Sequence, residues 1–348
     1  MNMRRPLPLQ PKDLASDREV RWCPGCGDFS ILAQLKKVLA GLGLPREQMV
    51  FLSGLGCAAR MPHYLRTFGF QTLPGRALPV AIGLKQMRPD LQVWVVGGEG
   101  DLLHHGGHHL LHALRRNGDI KILLLNNEVL GQSRGQASLT TRPGTRTSST
   151  PQGASNAPLR PLMLALAAEA SFVARTVDVD IDHLAATLHR AARHRGCALV
   201  EIYQNCTIYN PDAFSYAADK AVRWDNVVYL EHGQPLRFGK DRDYGIRLVG
   251  LRPEVVMLGT VPEEMLLCHD ETAEDPTLAL MLARWTHSEE DDQPPEVLGV
   301  LRAVERPTHD ETRPRGQREA RLREWLYGDN SWTIPGEGEK VNHALPVL

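Results

Sequence analysis

Four cysteines are the residues of this chain best suited to chemistry. Cys23-Pro24-Gly25-Cys26 is a CxxC just ahead of a helical stretch. Cys57 ends SGLGC and Cys206 ends YQNC, each just past a strand-like run. Thiolates are soft ligands, and four gathered at one sheet edge could hold a [4Fe–4S] cluster or a zinc ion. A structural zinc site usually carries two short knuckles, so one knuckle with two distant cysteines fits a cluster slightly better. A lone CxxC also suits a redox pair, and spacing leaves all three open. Cys197 and Cys268 sit in apolar contexts and read as buried thiols.

A second candidate uses harder donors. Gly98-Glu99-Gly100-Asp101 closes one strand-like run and Asn126-Asn127 closes the next. Glycine lets a backbone approach phosphate closely. An acid and an amide oxygen on neighbouring strand ends can hold one Mg²⁺, which in turn binds diphosphate. The competing reading is two ordinary Gly/Asn turns. The order resembles the thiamine-diphosphate signature, GDG followed by NN, with Glu99 in place of the first Asp. The histidines from His104 to His112 contain two pairs at helical spacing, His105/His109 and His108/His112, which could hold zinc. Polar contacts beside the pocket are the plainer reading.

These residues need a scaffold that brings them together. Apolar spacing predicts helices over 28–42, 77–88, 107–116, 162–170 and 181–195, with Asp28 as an N-cap. Short apolar runs at 50–52, 92–96, 120–125, 172–177 and 198–203 read as strands. Such alternation means an α/β fold, a mainly parallel sheet flanked by helices. Ligands then sit at the carboxyl ends of strands, where SGLGC, GGEGD, NNEVLG and YQNC all fall. The polar stretch from Gly131 to Pro161 is long enough to be a functional loop or a mobile one. Three regions follow: an N-terminal arm (1–21), a main domain (22–214) and a smaller C-terminal extension (215–348). The acidic run Glu289–Asp292 reads as a solvated loop.

Composition narrows the classes. Forty Lys and Arg against forty-one Asp and Glu leave a net charge of −1, which argues against a dedicated nucleic-acid binder. No apolar run approaches the roughly 20 residues of a membrane span, and the basic N-terminus has no apolar core to make it a secretory signal. Six cysteines in 348 residues are too few for a disulfide scaffold, so the expected setting is cytoplasmic and reducing.

Taken together, WCPGCGDFSIL, SGLGCAARMP, GRALPVAIGLK, GGHHLLHALRRN, ILLLNN, FVART and VEIYQNC resemble the beta subunits of 2-oxoacid:ferredoxin oxidoreductases, closest to the 2-oxoglutarate type. The resemblance runs from about 22 to 214 and continues more weakly through EHGQPLRFGKDRDYGIRL and VERPTHDE. It implies a thiamine-diphosphate-binding fold and a [4Fe–4S] cluster on Cys23, Cys26, Cys57 and Cys206. Thiamine diphosphate would lie against Leu55, Gly56, Cys57, Ala58, Gly100, Asp101 and Gly131. Glu99, the Asn127 side chain and the Val129 carbonyl would hold Mg²⁺. Arg60 matches a residue near substrate and Arg134 one near coenzyme A; Arg142 and Arg146 could also meet coenzyme A phosphates or simply be solvated.

The implied activity is coenzyme A-dependent oxidative decarboxylation of a 2-oxoacid, with electrons passed to ferredoxin. The implied partner is an alpha, or fused gamma-alpha, subunit that supplies the activating glutamate. Several positions depart from the family. Glu99 replaces Asp, Pro74 stands where relatives usually carry a cofactor-contacting His, and Leu130 stands where Tyr is common. His104 and His105 replace small or apolar residues. An altered pocket beside intact cluster ligands also allows an electron-transfer subunit that has lost thiamine chemistry.

Overall fold

The computed structural model describes residues 9–286, 295–309 and 311; the acidic run Glu289–Asp292 lies outside them. The strands are β1 (Met49–Ser53), β2 (Phe68–Gln71), β3 (Gln92–Gly98), β4 (Ile120–Asn126), β5 (Val129–Leu130), β6 (Gln136–Ala137) and β7 (Phe172–Val177). They continue as β8 (Ala198–Tyr203), β9 (Val227–Tyr229), β10 (Arg237–Phe238), β11 (Tyr244–Val249), β12 (Arg252–Met257) and β13 (Glu296–Ala303). The α-helices are α1 (Asp28–Gly41), α2 (Ala77–Met87), α3 (Gly107–Arg116), α4 (Pro161–Ala167), α5 (Ile181–Arg193), α6 (Ser215–Ala218), α7 (Arg223–Asn226) and α8 (Thr277–Arg284).

Eight strands form one sheet in the order β2-β1-β3-β4-β8-β7-β13-β9. The first six are parallel, and β13 runs antiparallel to β7. Central strands of such a sheet are covered on both faces, which is why β4, IKILLLN, is buried at every position. One face packs on α2, α3, α4 and α8 through side chains such as Leu78, Leu110, Leu162 and Leu282. The other packs on α1 and α5 through Ile31, Leu35, Leu39, Leu184 and Leu188. These are the apolar stripes that the 3.6-residue period predicts. Among the described residues, no helix is long and apolar enough to cross a membrane.

The stretch beyond 215 does more than extend the domain. It forms a small antiparallel sheet, β10-β11-β12, and it also returns β13 to the main sheet beside β7. A buried ionic network anchors that return. Arg175 on β7 bonds Glu201 on β8 (2.8 Å) and Glu296 on β13 (2.7 Å), and the Tyr203 and Tyr216 hydroxyls also donate to Glu296. Glu296 is fully buried. Removing one partner of such a network strands a buried charge, so Glu296→Ala is expected to cost about 3–5 kcal/mol. Urea denaturation measures this; a loss below about 1 kcal/mol would contradict a structural role for the network.

Candidate functional site

The carboxyl ends of β1, β3, β4 and β8 lie side by side, with Ser53 paired to Val96, Gly98 to Leu125 and Asn126 to Tyr203. The loops leaving them enclose a cavity of about 340 Å³. Leu55, Gly56, Cys57, Ala58, Glu99, Gly100, Asp101, Asn127, Val129 and Gly131 all line it. Ten positions scattered between 55 and 131 thus converge on one concave surface.

The acids in this cavity are held without adequate partners. Glu99 is 2% exposed and its Oε1 has no hydrogen-bond partner. Burial pushes its carboxyl up to about 8, and the Glu128 charge adds to this, against the pull of its own backbone, Ser138 and Val129 N–H. Asp101 is 3% exposed; Oδ1 accepts the Gly75 N–H at 2.7 Å, while Oδ2 is unpartnered. Burial raises its carboxyl too, opposed by the N–H groups of Gly75, Leu55 and Gly54. A Cβ on Gly54 would fall 2.2 Å from Asp101 Oδ1, so only glycine lets this loop close over the acid. Buried carboxylate oxygens left bare are costly unless a cation or donor arrives. The donor set and the cradle fit a Mg²⁺–diphosphate group.

The two asparagines divide their work. Asn126 is buried, donating to Glu201 (2.9 Å) and accepting from the Thr140 hydroxyl (2.9 Å) and Glu128 N–H (3.1 Å). Asn127 faces the cavity; its Oδ1 accepts the Val129 N–H (3.1 Å) and its Nδ2 donates to Gln204 (2.7 Å), which orients the amide.

The cysteine loops meet beside this cavity. Cys57 lines it, with Trp22 Nε1 donating to the Cys57 carbonyl at 2.8 Å. The Thr207 hydroxyl donates to the Pro24 carbonyl (3.1 Å), and Gly27 N–H donates to the Asn205 carbonyl (3.1 Å), which clips the CxxC loop to the loop after β8. Gln204 Nε2 donates to Cys26 Sγ at 3.1 Å. Burial, then the Asp28 charge, pushes the Cys57 thiol up to about 11, against the pull of the Arg60 charge. Burial raises Cys26 as well, with contributions from Asp28, Cys206 and Cys57. The hydrogen bonds among these three loops bring the segments that carry the four thiols together. Among the described residues, no three His, Cys, Asp or Glu side chains converge on a point suited to a single ion. A [4Fe–4S] cluster takes one thiolate on each of its four irons. The four-thiol donor set fits such a cluster.

Other expected residues fall elsewhere. Arg60 and Arg134 do not line the cavity: Arg60 donates to the Arg21 carbonyl (2.8 Å), and Arg134 is exposed in a turn. Arg142 is half-buried and already paired. It pairs with Glu128 (2.9 Å), bonds the Tyr216 hydroxyl (3.1 Å) and lies over the Phe214 ring. The 131–161 loop is pinned by that pairing, by the short β5–β6 hairpin and by the buried Thr140 and Thr141.

Cys268, read as buried from its apolar context, is exposed; it bridges Pro235. Asp28 is not an N-cap: it is the first residue of α1, 1% exposed, lines the cavity, and has two unpartnered carboxylate oxygens. Burial lifts its carboxyl to about 7. Its position two residues after the CxxC was the available signal for a site role. Gln204, beside Cys206, joins the cavity to Cys26 and was also missed.

Residues 50–202, which contain most of the strand ends and loops around this cavity, match the family described as thiamine pyrophosphate enzyme, C-terminal TPP binding domain. The chain is 43% identical over 338 residues to the 2-oxoglutarate oxidoreductase subunit KorB of Mycobacterium tuberculosis, covering 94% of this chain and 89% of the relative. It is 39% identical to the 2-oxoacid:ferredoxin oxidoreductase subunit beta of Saccharolobus solfataricus, over 60% of this chain and 71% of that one. A solved 2-oxoglutarate:ferredoxin oxidoreductase from Magnetococcus marinus, with 2-oxoglutarate, coenzyme A and succinyl-CoA bound, superposes with a TM-score of 0.69 at 29% identity, covering 93% of each chain. The chain belongs to the family of 2-oxoacid:ferredoxin oxidoreductase beta subunits, and so to a multi-subunit oxidoreductase.

Proposed function

We propose that this chain, with an alpha or fused gamma-alpha subunit, catalyses the coenzyme A-dependent oxidative decarboxylation of 2-oxoglutarate and delivers the electrons to ferredoxin. The reading rests on Cys57. The short loop after β1 carries Cys57 on the cavity wall, and the CxxC loop, clipped to the loop after β8 that carries Cys206, lies beside it. When bound, thiamine diphosphate supplies the carbon nucleophile and electron sink for decarboxylation.

The chain's own residues do the rest. Glu99, the Asn127 amide and the Val129 carbonyl hold Mg²⁺ at the ends of β3 and β4. Leu55, Gly56, Ala58, Gly100, Asp101 and Gly131 seat the cofactor, and Cys23, Cys26, Cys57 and Cys206 hold a [4Fe–4S] cluster beside it. Arg60 and Arg134, which do not line the cavity itself, act toward substrate and coenzyme A in this reading. A reducing, cytoplasmic setting suits four unpaired thiols. The alternative, an electron-transfer subunit without thiamine chemistry, sits poorly with the unpartnered buried carboxylate oxygens of Asp28, Glu99 and Asp101 in the cavity.

The test is an anaerobic assay of the two-subunit complex with 2-oxoglutarate, coenzyme A and ferredoxin. Ferredoxin reduction that requires all three supports the proposal. No reduction with 2-oxoglutarate, but reduction with another 2-oxoacid, would overturn the substrate assignment.

A further inference from the structure

Among the described residues three acids line the thiamine cavity, Asp28, Glu99 and Asp101, and His105 is the one lining side chain that can carry positive charge. A diphosphate brings further negative charge into this acidic surface. One Mg²⁺ offsets part of it, and a charge-assisted donor is the usual complement. Pro74, on the same cavity, offers neither a charge nor an N–H.

Backbone geometry ties His105 to this wall. Gly100–His105 forms a π-helical turn ahead of α3, and its width brings both Asp101 and His105 to the cavity. The Pro74-Gly75 turn presses directly on it. Gly75 has φ +70°, and a Cβ there would lie 2.3 Å from the His105 carbonyl carbon. Gly75 N–H donates to Asp101 at 2.7 Å, and Arg76 Nη1 reaches the His105 carbonyl at 3.4 Å. Pro74, Gly75, Asp101 and His105 thus form one continuous wall. The His105 ring is exposed and stands edge-on to His104 with centroids 4.9 Å apart. Among the described residues the ring has no hydrogen-bond partner, so its donors remain available.

We infer that His105 is a cofactor-binding residue whose imidazole donates to an anionic oxygen of the diphosphate, filling from the π-helical turn a place that Pro74 leaves without a donor. This rests on the thiamine-diphosphate reading given above. It assigns a use to one member of the histidine run that needs no additional metal.

The test is calorimetric binding to the two-subunit complex with Mg²⁺, using thiamine diphosphate and, separately, unphosphorylated thiamine. His105→Leu is expected to weaken thiamine diphosphate about tenfold, the size of one charge-assisted hydrogen bond. Affinity for thiamine should stay within about twofold, because thiamine carries no phosphate for the imidazole to meet. Adding Pro74→His to His105→Leu should recover most of the lost affinity by returning an imidazole to the same wall. Unchanged diphosphate affinity in His105→Leu, or an equal loss for both ligands, overturns the inference and leaves the thiamine reading standing. A wild-type complex that binds no thiamine diphosphate overturns that reading and the inference together.

Discussion

Glu99→Gln should abolish Mg²⁺-dependent thiamine diphosphate binding and lower turnover of the complex by at least about a hundredfold, because a neutral amide is a poor substitute for a carboxylate on a hard cation. The same substitution should leave the cofactor-free chain more heat-stable. Glu99 is 2% exposed with a bare oxygen, and an uncharged isostere is cheaper to bury. Activity and stability therefore move in opposite directions, as expected at sites built for a ligand rather than for the fold. Calorimetry gives the first quantity and a thermal melt of the apo-protein gives the second. Retained cofactor affinity in Glu99→Gln would remove Glu99 from the metal site. Glu99→Asp adds a check on the longer side chain: tighter Mg²⁺–cofactor binding would mark Glu99 as a strained ligand, and a large loss would mean the pocket is shaped around glutamate.

Cys26→Ser is the second large effect. The wild-type complex, isolated without oxygen, should be brown and carry about four irons per beta chain. The variant should lose most of that iron and its broad visible absorbance, and ferredoxin reduction should fall at least about a hundredfold. Cys26 is not among the residues lining the cavity, so thiamine diphosphate affinity should change little. That split separates a redox ligand from a residue that merely supports the loop. Unchanged iron in the variant would sink the assignment. So would stoichiometric zinc in the wild type, which would favour a structural metal instead.

Much of this arrangement is legible in the sequence, for a physical reason. A central parallel strand is covered on both faces, so it shows as an apolar run such as ILLL, and the loop at its carboxyl end is where polar chemistry must sit. The strands at 172–177 and 198–203 and the helix at 107–116 have the bounds that their patterns suggest. Elements that break this rule are hidden. The edge strand β2, FGFQ, is exposed at all four positions and carries no burial pattern. β13 follows an acidic run and is far from its partner β7 in sequence, and its place depends on the Arg175–Glu201–Glu296 network, which no local pattern reports. The same holds within the site. Motifs give the cavity residues on single loops, whereas Asp28 and Gln204 earn their places only when two loops meet. Arg142 shows the opposite failure: a basic residue in a polar loop reads as solvated or anion-binding, yet the fold turns it inward to Glu128.

The central claim is that iron held by Cys23, Cys26, Cys57 and Cys206 lies within electron-transfer reach of the cavity bounded by Glu99 and Asn127. Rapid-mixing absorbance of the anaerobic two-subunit complex tests it most directly, with thiamine diphosphate, Mg²⁺ and coenzyme A present and ferredoxin left out. Adding 2-oxoglutarate should bleach the visible iron–sulfur band of the wild type, and omitting thiamine diphosphate should prevent the bleaching. A band that stays unchanged on substrate addition in a complex shown to contain both iron and thiamine diphosphate would contradict the account.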